Sequence, residues 1–233
     1  MAVMLFGWYF DWTFIILIPG IIFSLWAQIR VNTTFSHYSK VRNFRGVTGA
    51  QAAQMILSAN GIHDVRIERI RGNLNDHYSP KEKVIRLSDA VFDSDSIGAV
   101  GVAAHEAGHA VQYAKNYAPI GIRMAIIPVV NIGSNLAMPI FIIGLIFAFE
   151  PLMMAGIALF SLAIVFQLIT LPVEFDASNR ALEAIDSQGI LYGDEAKGAR
   201  KVLSAAAMTY VAALFASLLS LLRLVVIANN RRR

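Results

Sequence analysis

The sequence predicts a mainly α-helical integral membrane protein, with about four transmembrane helices and a small α+β domain at the membrane surface. Three observations carry that prediction. First, 56% of the 233 residues are hydrophobic and only 15% are charged, and the mean hydropathy is +0.55, which is more apolar surface than one soluble domain of this size buries. Second, the apolar residues gather into four stretches of roughly bilayer length: one in residues 1–28, two in 120–172 and one in 202–228. Third, residues 29–95 are polar enough to fold outside lipid and carry both helix and strand periodicities.

The net charge of +4 does not point to nucleic acid, because the basic residues are dispersed among acidic ones and flank the apolar spans, where anionic lipid accounts for them. The chain has no cysteine, which excludes disulfides, thiolate metal ligands and thiol nucleophiles together.

The first stretch, 1–28, has no positive charge before its apolar run and Arg30 after it, so it reads as an uncleaved first span. Trp8, Tyr9 and Trp12 form one expected aromatic belt and Trp26 part of the other; Asp11 reads as an interfacial charge, and Pro19-Gly20 predicts a kink. In the 29–119 segment, Thr48-Gly49-Ala50-Gln51 is a capping box opening a short amphipathic helix that ends at Asn60-Gly61. Val65–Ile70 alternates with period two and Lys83–Leu87 makes a second strand, with a turn-rich connection from Gly72 to Pro80. His77 and Tyr78 in that connection read as surface loop residues; the competing reading of His77 is a group that polarises a reacting carbonyl.

Ser94-Asp95-Ser96 offers caps for a helix reaching about Tyr113, and that helix contains His105-Glu106-Ala107-Gly108-His109. Residues i and i+4 share one helix face, so His105 and His109 present their imidazoles to a single Zn²⁺. Glu106, beside the first of them, is placed to take a proton from a water on that metal. The small residues Ala107, Gly108 and Ala110 allow a neighbouring backbone to approach closely. The spacing describes a metal-dependent hydrolase with one zinc per chain, still lacking a third ligand.

Residues 120–172 read as a transmembrane hairpin, with breaks near Pro128 and Pro139 and a tight turn at Glu150-Pro151. Asn131, Asn135 and Gln167 inside it read as interhelical hydrogen-bonding groups. Two crossings return the chain to the side it left, so the 173–201 segment emerges beside His109. There Glu174 is either a carboxylate completing a His₂Glu site or an ordinary acid in the first turn of a helix. The 202–228 segment is a fourth span or a re-entrant helix, with Ala212, Ala216 and Ser220 as a small-residue face, and 229–233 is a basic tail.

The HExxH helix, Glu174-Phe175-Asp176-Ala177-Ser178 and the hairpin between them resemble the bacterial YugP-like zinc metallopeptidases along essentially the whole chain. More distantly they are similar to the integral-membrane peptidases of the HtpX and CAAX-protease type, through the two motifs and the hairpin only. The resemblance implies a zincin-like, gluzincin-type domain: His105, His109 and Glu174 as ligands and Glu106 as general base. In the HtpX type an Asp four residues after the third ligand orients the first histidine. Ser178 stands there in this chain, while Asp176 points away from the metal on a regular helix, which leaves the supporting partner open between them. Arg180 is a further candidate, for oxyanion stabilisation.

The expected activity is therefore hydrolysis of peptide bonds in membrane proteins or unfolded polypeptides near the bilayer. Two readings compete with it: a site-2-type intramembrane protease, and a non-catalytic zinc-binding scaffold. Near the span ends, Arg30, Lys40, Arg42, Arg45, Lys115, Arg123, Arg180, Lys197, Arg200 and Lys201 lie on the catalytic side, against Arg231–Arg233 opposite. The positive-inside rule then makes this a multi-pass protein of the cell membrane with its site facing the cytoplasm. The sequence sets no oligomeric state.

Overall fold

The computed structural model describes residues 4–5, 8–9, 11–73 and 75–231. The side chains of Trp8, Tyr9 and Arg231, and the whole of Arg232 and Arg233, which belong to the expected aromatic belt and basic tail, lie outside the described residues. In chain order the elements are strands β1 (Met4–Leu5) and β2 (Trp8–Tyr9), a 3₁₀ segment Trp12–Leu17 leading into α1 (Ile18–Tyr38), and α2 (Gly49–Ala59). Then come β3 (Arg66–Ile70), β4 (His77–Ser79), β5 (Val84–Ser88), the single turn α3 (Asp89–Phe92), α4 (Ile97–Ala114), α5 (Ala118–Ile146), α6 (Glu150–Ser187) and α7 (Asp194–Arg231). They divide into two compact units. One comprises Met1–Trp26, Ala125–Leu168 and Tyr210–Arg233; the other comprises Ala27–Met124 and Ile169–Thr209.

The second unit is organised around α4, whose Ser96 cap accepts a hydrogen bond from the Ala99 N–H at 3.1 Å. The capping box of α2 forms as the sequence predicts: Thr48 Oγ1 accepts from Gln51 N, and Gln51 Oε1 accepts from Thr48 N at 2.9 Å. The buried face of α2, Ala52, Ala53, Ile56 and Leu57, meets Val100, Ala103, Ala104, Ala107 and Val111 of α4 in one apolar core. The sheet has the order β3-β5-β4, with β3 and β5 parallel and β4 antiparallel to β5. The central strand β5 buries Val84, Ile85 and Leu87 completely.

β4 corrects the sequence expectation, since His77 and Tyr78 were read as loop. Asp76 draws the connection onto the sheet by accepting from Ser88 N at 2.7 Å and Ser88 Oγ at 3.0 Å, so the three residues after it pair with β5 as an edge strand.

The first unit holds the apolar parts of α1, α5, α6 and α7, four helices that are long and apolar enough to cross a membrane. Only 11–28% of the residues in their most apolar windows are buried, so large aliphatic side chains face outward along each of them, as they do against lipid. Inside this unit α1 and α7 run antiparallel. Asp11 pairs with Arg223 at 2.9 Å, Gly20 sits against Ala216, and the Phe23 and Phe215 rings meet edge to face at 5.9 Å. Gln167 bonds Ser217 across helices at 2.9 Å, the role the sequence assigns to it; Asn131 and Asn135 instead lie on the exposed face of α5.

Several expected boundaries dissolve into longer helices. α1 continues past residue 28 to Tyr38, and α5 runs unbroken through Pro128 and Pro139. α6 passes Pro172 without interruption, so the division expected at 172/173 is absent. Each proline removes one i→i−4 hydrogen bond, and the turns on either side retain theirs. α7 is likewise one unbroken helix of 38 residues, about 57 Å long, with no reversal of the kind a re-entrant segment needs.

Candidate metal centre

Two helices of the second unit build the site. On α4, His105 and His109 stand one turn apart with ring centroids 4.7 Å from each other and planes at 78°. α6 brings Glu174 against them, and the approach is made possible by Gly108. A Cβ added at Gly108 would lie 2.5 Å from the Ala177 carbonyl oxygen, so the two backbones touch where any other residue would force them apart. Ala177 and Ala181, fully buried on α6, complete this small-residue seam.

The His105 and His109 Nε2 atoms lie 3.3 and 3.5 Å from Glu174 Oε2. Ligands 2.0–2.1 Å from a tetrahedral zinc are separated by about 3.3–3.4 Å, so both spacings are those of a tetrahedral edge. Glu174 is 2% exposed, and its Oε2 is buried with no hydrogen-bond donor directed at it. A buried carboxylate oxygen facing two ring nitrogens without a donor is matched to a cation. Glu174 stands in the interior of α6, which sets aside its reading as a first-turn acid.

A neighbouring side chain fixes which nitrogen of the His109 imidazole is free. Gln112 is fully buried and its Nε2 donates to the Val173 carbonyl and to Asp176 Oδ2, both at 2.7 Å. Both partners only accept, so the amide oxygen must face His109 Nδ1, 3.0 Å away, and that nitrogen carries the proton. Nε2 of His109 is then left with its lone pair toward Glu174. Ser178, one turn beyond Glu174, lies 3.2 Å from His105 Nδ1, and its hydroxyl can accept from that nitrogen or donate to it. Asp176 does point away from the centre but is not idle, since it reaches His109 through Gln112.

Burial opposes charge on the His109 ring, while the carboxylates of Glu174 and Glu106 and the contact with Gln112 favour it; together they hold its pKa above the ordinary histidine value.

Other candidates fall elsewhere. Arg180 is tied to Asp176 at 2.5 Å and lies over the Tyr117 ring at 5.6 Å. His77 Nδ1 donates to the Asn75 carbonyl at 2.9 Å, and no contact joins it to the histidine pair among the described residues. Its neighbour Tyr78 packs on Tyr113 of α4 with centroids 5.6 Å apart, and both line an open cavity of about 440 Å³ with Ala110 and Ala114. Glu106 is buried on α4 beside His105.

Sequence reading overlooked two residues. Gln112 follows His109 by three positions on the same helix face, a signal that was available. Arg123, counted there only as a charge flanking a span, places Nη1 3.1 Å from Glu174 Oε1.

The family described as "Putative neutral zinc metallopeptidase" matches residues 13–229. The chain is 49% identical over 209 residues to "Putative membrane protease YugP" of Bacillus subtilis (strain 168), covering 90% of this chain and 93% of that one. No solved structure matches.

Proposed function

Since the chain belongs to this zinc metallopeptidase family, we propose that it is a membrane-embedded zinc-dependent endopeptidase that cuts membrane proteins or unfolded polypeptides near the bilayer. The observation that carries the reading is the convergence of two histidine Nε2 atoms and a donor-free, buried glutamate oxygen at tetrahedral-edge spacing. His105, His109 and Glu174 would hold the metal. Zinc bound there supplies a Lewis acid for the scissile carbonyl and acidifies a water in the remaining position.

The chain's own residues do the rest. Glu106 accepts the proton of the attacking water and delivers it to the leaving amine. Gln112 keeps His109 in the tautomer that leaves Nε2 free, and Ser178, accepting from His105 Nδ1, does the same for the first ring. β4 is an edge strand beside α4, and an extended substrate added to that edge would run past the histidines with a side chain in the Tyr78–Tyr113 cavity. α6 carries Glu174 three residues beyond its apolar run, which ends at Leu171, and this supports substrates presented close to the membrane. The excess of lysine and arginine around the site supports a cytoplasmic orientation.

The test uses detergent-purified full-length protein, with zinc content and hydrolysis of a quenched unfolded polypeptide as readouts. Wild type should bind one zinc. Glu106→Gln should keep the metal and lose hydrolysis by about 10²–10⁴-fold, and Glu174→Ala should lose the metal. Hydrolysis that survives Glu106→Gln, or stoichiometric zinc that survives Glu174→Ala, would overturn the assignment. Zinc binding without hydrolysis in wild type would leave the scaffold reading instead.

A further inference from the structure

The Glu174 carboxylate is gripped at both ends. Oε2 faces the two imidazoles, and Oε1 takes a hydrogen bond from Arg123 Nη1 at 3.1 Å. Arg123 comes from the second turn of α5, after the chain has reversed through Lys115–Tyr117. Its guanidinium has no other acceptor among the described residues, and its Nε is buried without one. An arginine serving as a general strut distributes its five donors over several acceptors. This one is committed to a single oxygen of a single carboxylate.

A glutamate can ligate a metal through one oxygen or through both. Bidentate ligation would occupy the coordination position that a hydrolytic zinc must keep for water or substrate. We propose that Arg123 is a positioning residue that reserves Oε1 for itself, so that Glu174 ligates zinc through Oε2 alone and the remaining position stays open. The inference rests on the zinc-peptidase reading above.

Two consequences follow from charge. Before metal binds, Arg123 compensates a carboxylate that is otherwise buried, and so keeps Glu174 in its ligating rotamer rather than withdrawn. With metal bound, the same charge-assisted hydrogen bond would keep Oε1 engaged with Arg123 and leave Oε2 as the ligating oxygen.

The experiment compares wild type, Arg123→Gln and Arg123→Lys, with zinc affinity read by chelator competition and coordination read from the visible absorption of the Co²⁺-substituted protein. Wild type should give the intense bands of four-coordinate cobalt. Arg123→Gln should bind zinc about 10- to 100-fold more weakly, with the cobalt bands losing intensity as Glu174 becomes bidentate. Arg123→Lys, which keeps the charge and is the more conservative change for folding, should recover part of the affinity and the four-coordinate spectrum. Wild-type affinity and spectrum in Arg123→Gln would overturn the proposal, as would an Arg123→Lys variant that is folded by circular dichroism but no better than Arg123→Gln. Wild type that binds no metal, or whose metal is indifferent to Glu174→Ala, marks instead the failure of the peptidase reading.

Discussion

The two compact units place their apolar residues oppositely. In the unit that carries the metal centre, Ile56, Leu57, Ile85, Leu87, Val100 and Ile185 are buried, and charged pairs such as Arg42–Asp95 lie at the surface. In the other, Ile15, Ile22, Val129, Ile132, Ile146 and Leu168 are exposed, and the polar side chains of Gln167, Ser217, Asp11 and Arg223 find partners on neighbouring helices. The difference is the one expected of a chain written for two solvents. Water satisfies polar groups and drives apolar ones together; hydrocarbon does neither, so close packing and internal hydrogen bonds must hold helices in place. Each unit should therefore fail by a different kind of substitution.

The largest expected effect is on the site-bearing unit, at its α4–α6 seam. Gly108→Ala adds a methyl group 2.5 Å from the Ala177 carbonyl oxygen, a backbone atom that cannot swing aside. Overpacking of this kind costs about 1–3 kcal/mol, only partly offset by the better helix propensity of alanine. The helices must separate, and displacement of Glu174 from the histidines by about 1 Å should lower hydrolysis roughly 100-fold. Thermal unfolding and hydrolysis by the variant measure both consequences. Normal values for both would show that the backbones do not meet there.

Next comes the charged pair of the other unit. Asp11 caps the Trp12–Leu17 segment through Thr13 N and bonds Arg223, which also lies 3.9 Å from the centre of the Phe14 ring. Asp11→Ala removes the only carboxylate paired with Arg223 among the described residues and leaves its guanidinium with the Thr13 hydroxyl on an apolar helix. Removing one member of a fully buried pair costs about 3–5 kcal/mol, and with Asp11 38% exposed the screened loss should be nearer 1–2 kcal/mol. That is a fall in Tm of about 3–6 °C, with zinc stoichiometry unchanged. Burial raises the Asp11 pKa, but the bonds from Arg223 and Thr13 outweigh it and hold the group below its ordinary 3.8. The contribution is thus complete above pH 4 and disappears as pH falls through the depressed value, so the Tm difference between wild type and Asp11→Ala should close in acid. A difference that persists unchanged at low pH would mean that the pair is not its source.

Much of this was legible in the sequence, and what was not has identifiable causes. The HExxH face, the Thr48–Gln51 box and the Ser96 cap are local patterns, and local hydrogen bonding decides them. The hairpin argument that returns Glu174 to the histidines needs only span lengths. Pro128 and Pro139 misled because proline's cost is calibrated on isolated helices, whereas the flanking turns of this long helix carry it. β4 escaped notice because three residues show no periodicity and its cause, the Asp76–Ser88 contact, spans 12 positions. Gln112 was one helix turn from His109 and readable. Arg123 was not, because its arrival at Glu174 depends on the reversal through Asn116, whose φ of +50° no spacing rule anticipates.

The smallest expected effect tests the claim that hydrogen bonds substitute for apolar burial in the unit whose aliphatic side chains face outward. Gln167 Nε2 donates to Ser217 Oγ at 2.9 Å, while its Oε1 is buried without a donor. Gln167→Leu deletes one interhelical bond, worth about 0.6 kcal/mol on average between membrane helices. It also removes the unsatisfied oxygen, and the freed Ser217 hydroxyl can turn back to the carbonyl one turn earlier in α7. These terms oppose each other, so the net change in stability should stay under about 1 kcal/mol, with zinc binding untouched. Thermal unfolding in detergent beside Asp11→Ala decides the matter. A loss from Gln167→Leu as large as that from the charged pair would mean that the neutral bond between α6 and α7 contributes as much to this unit as the ion pair that joins Asp11 to α7.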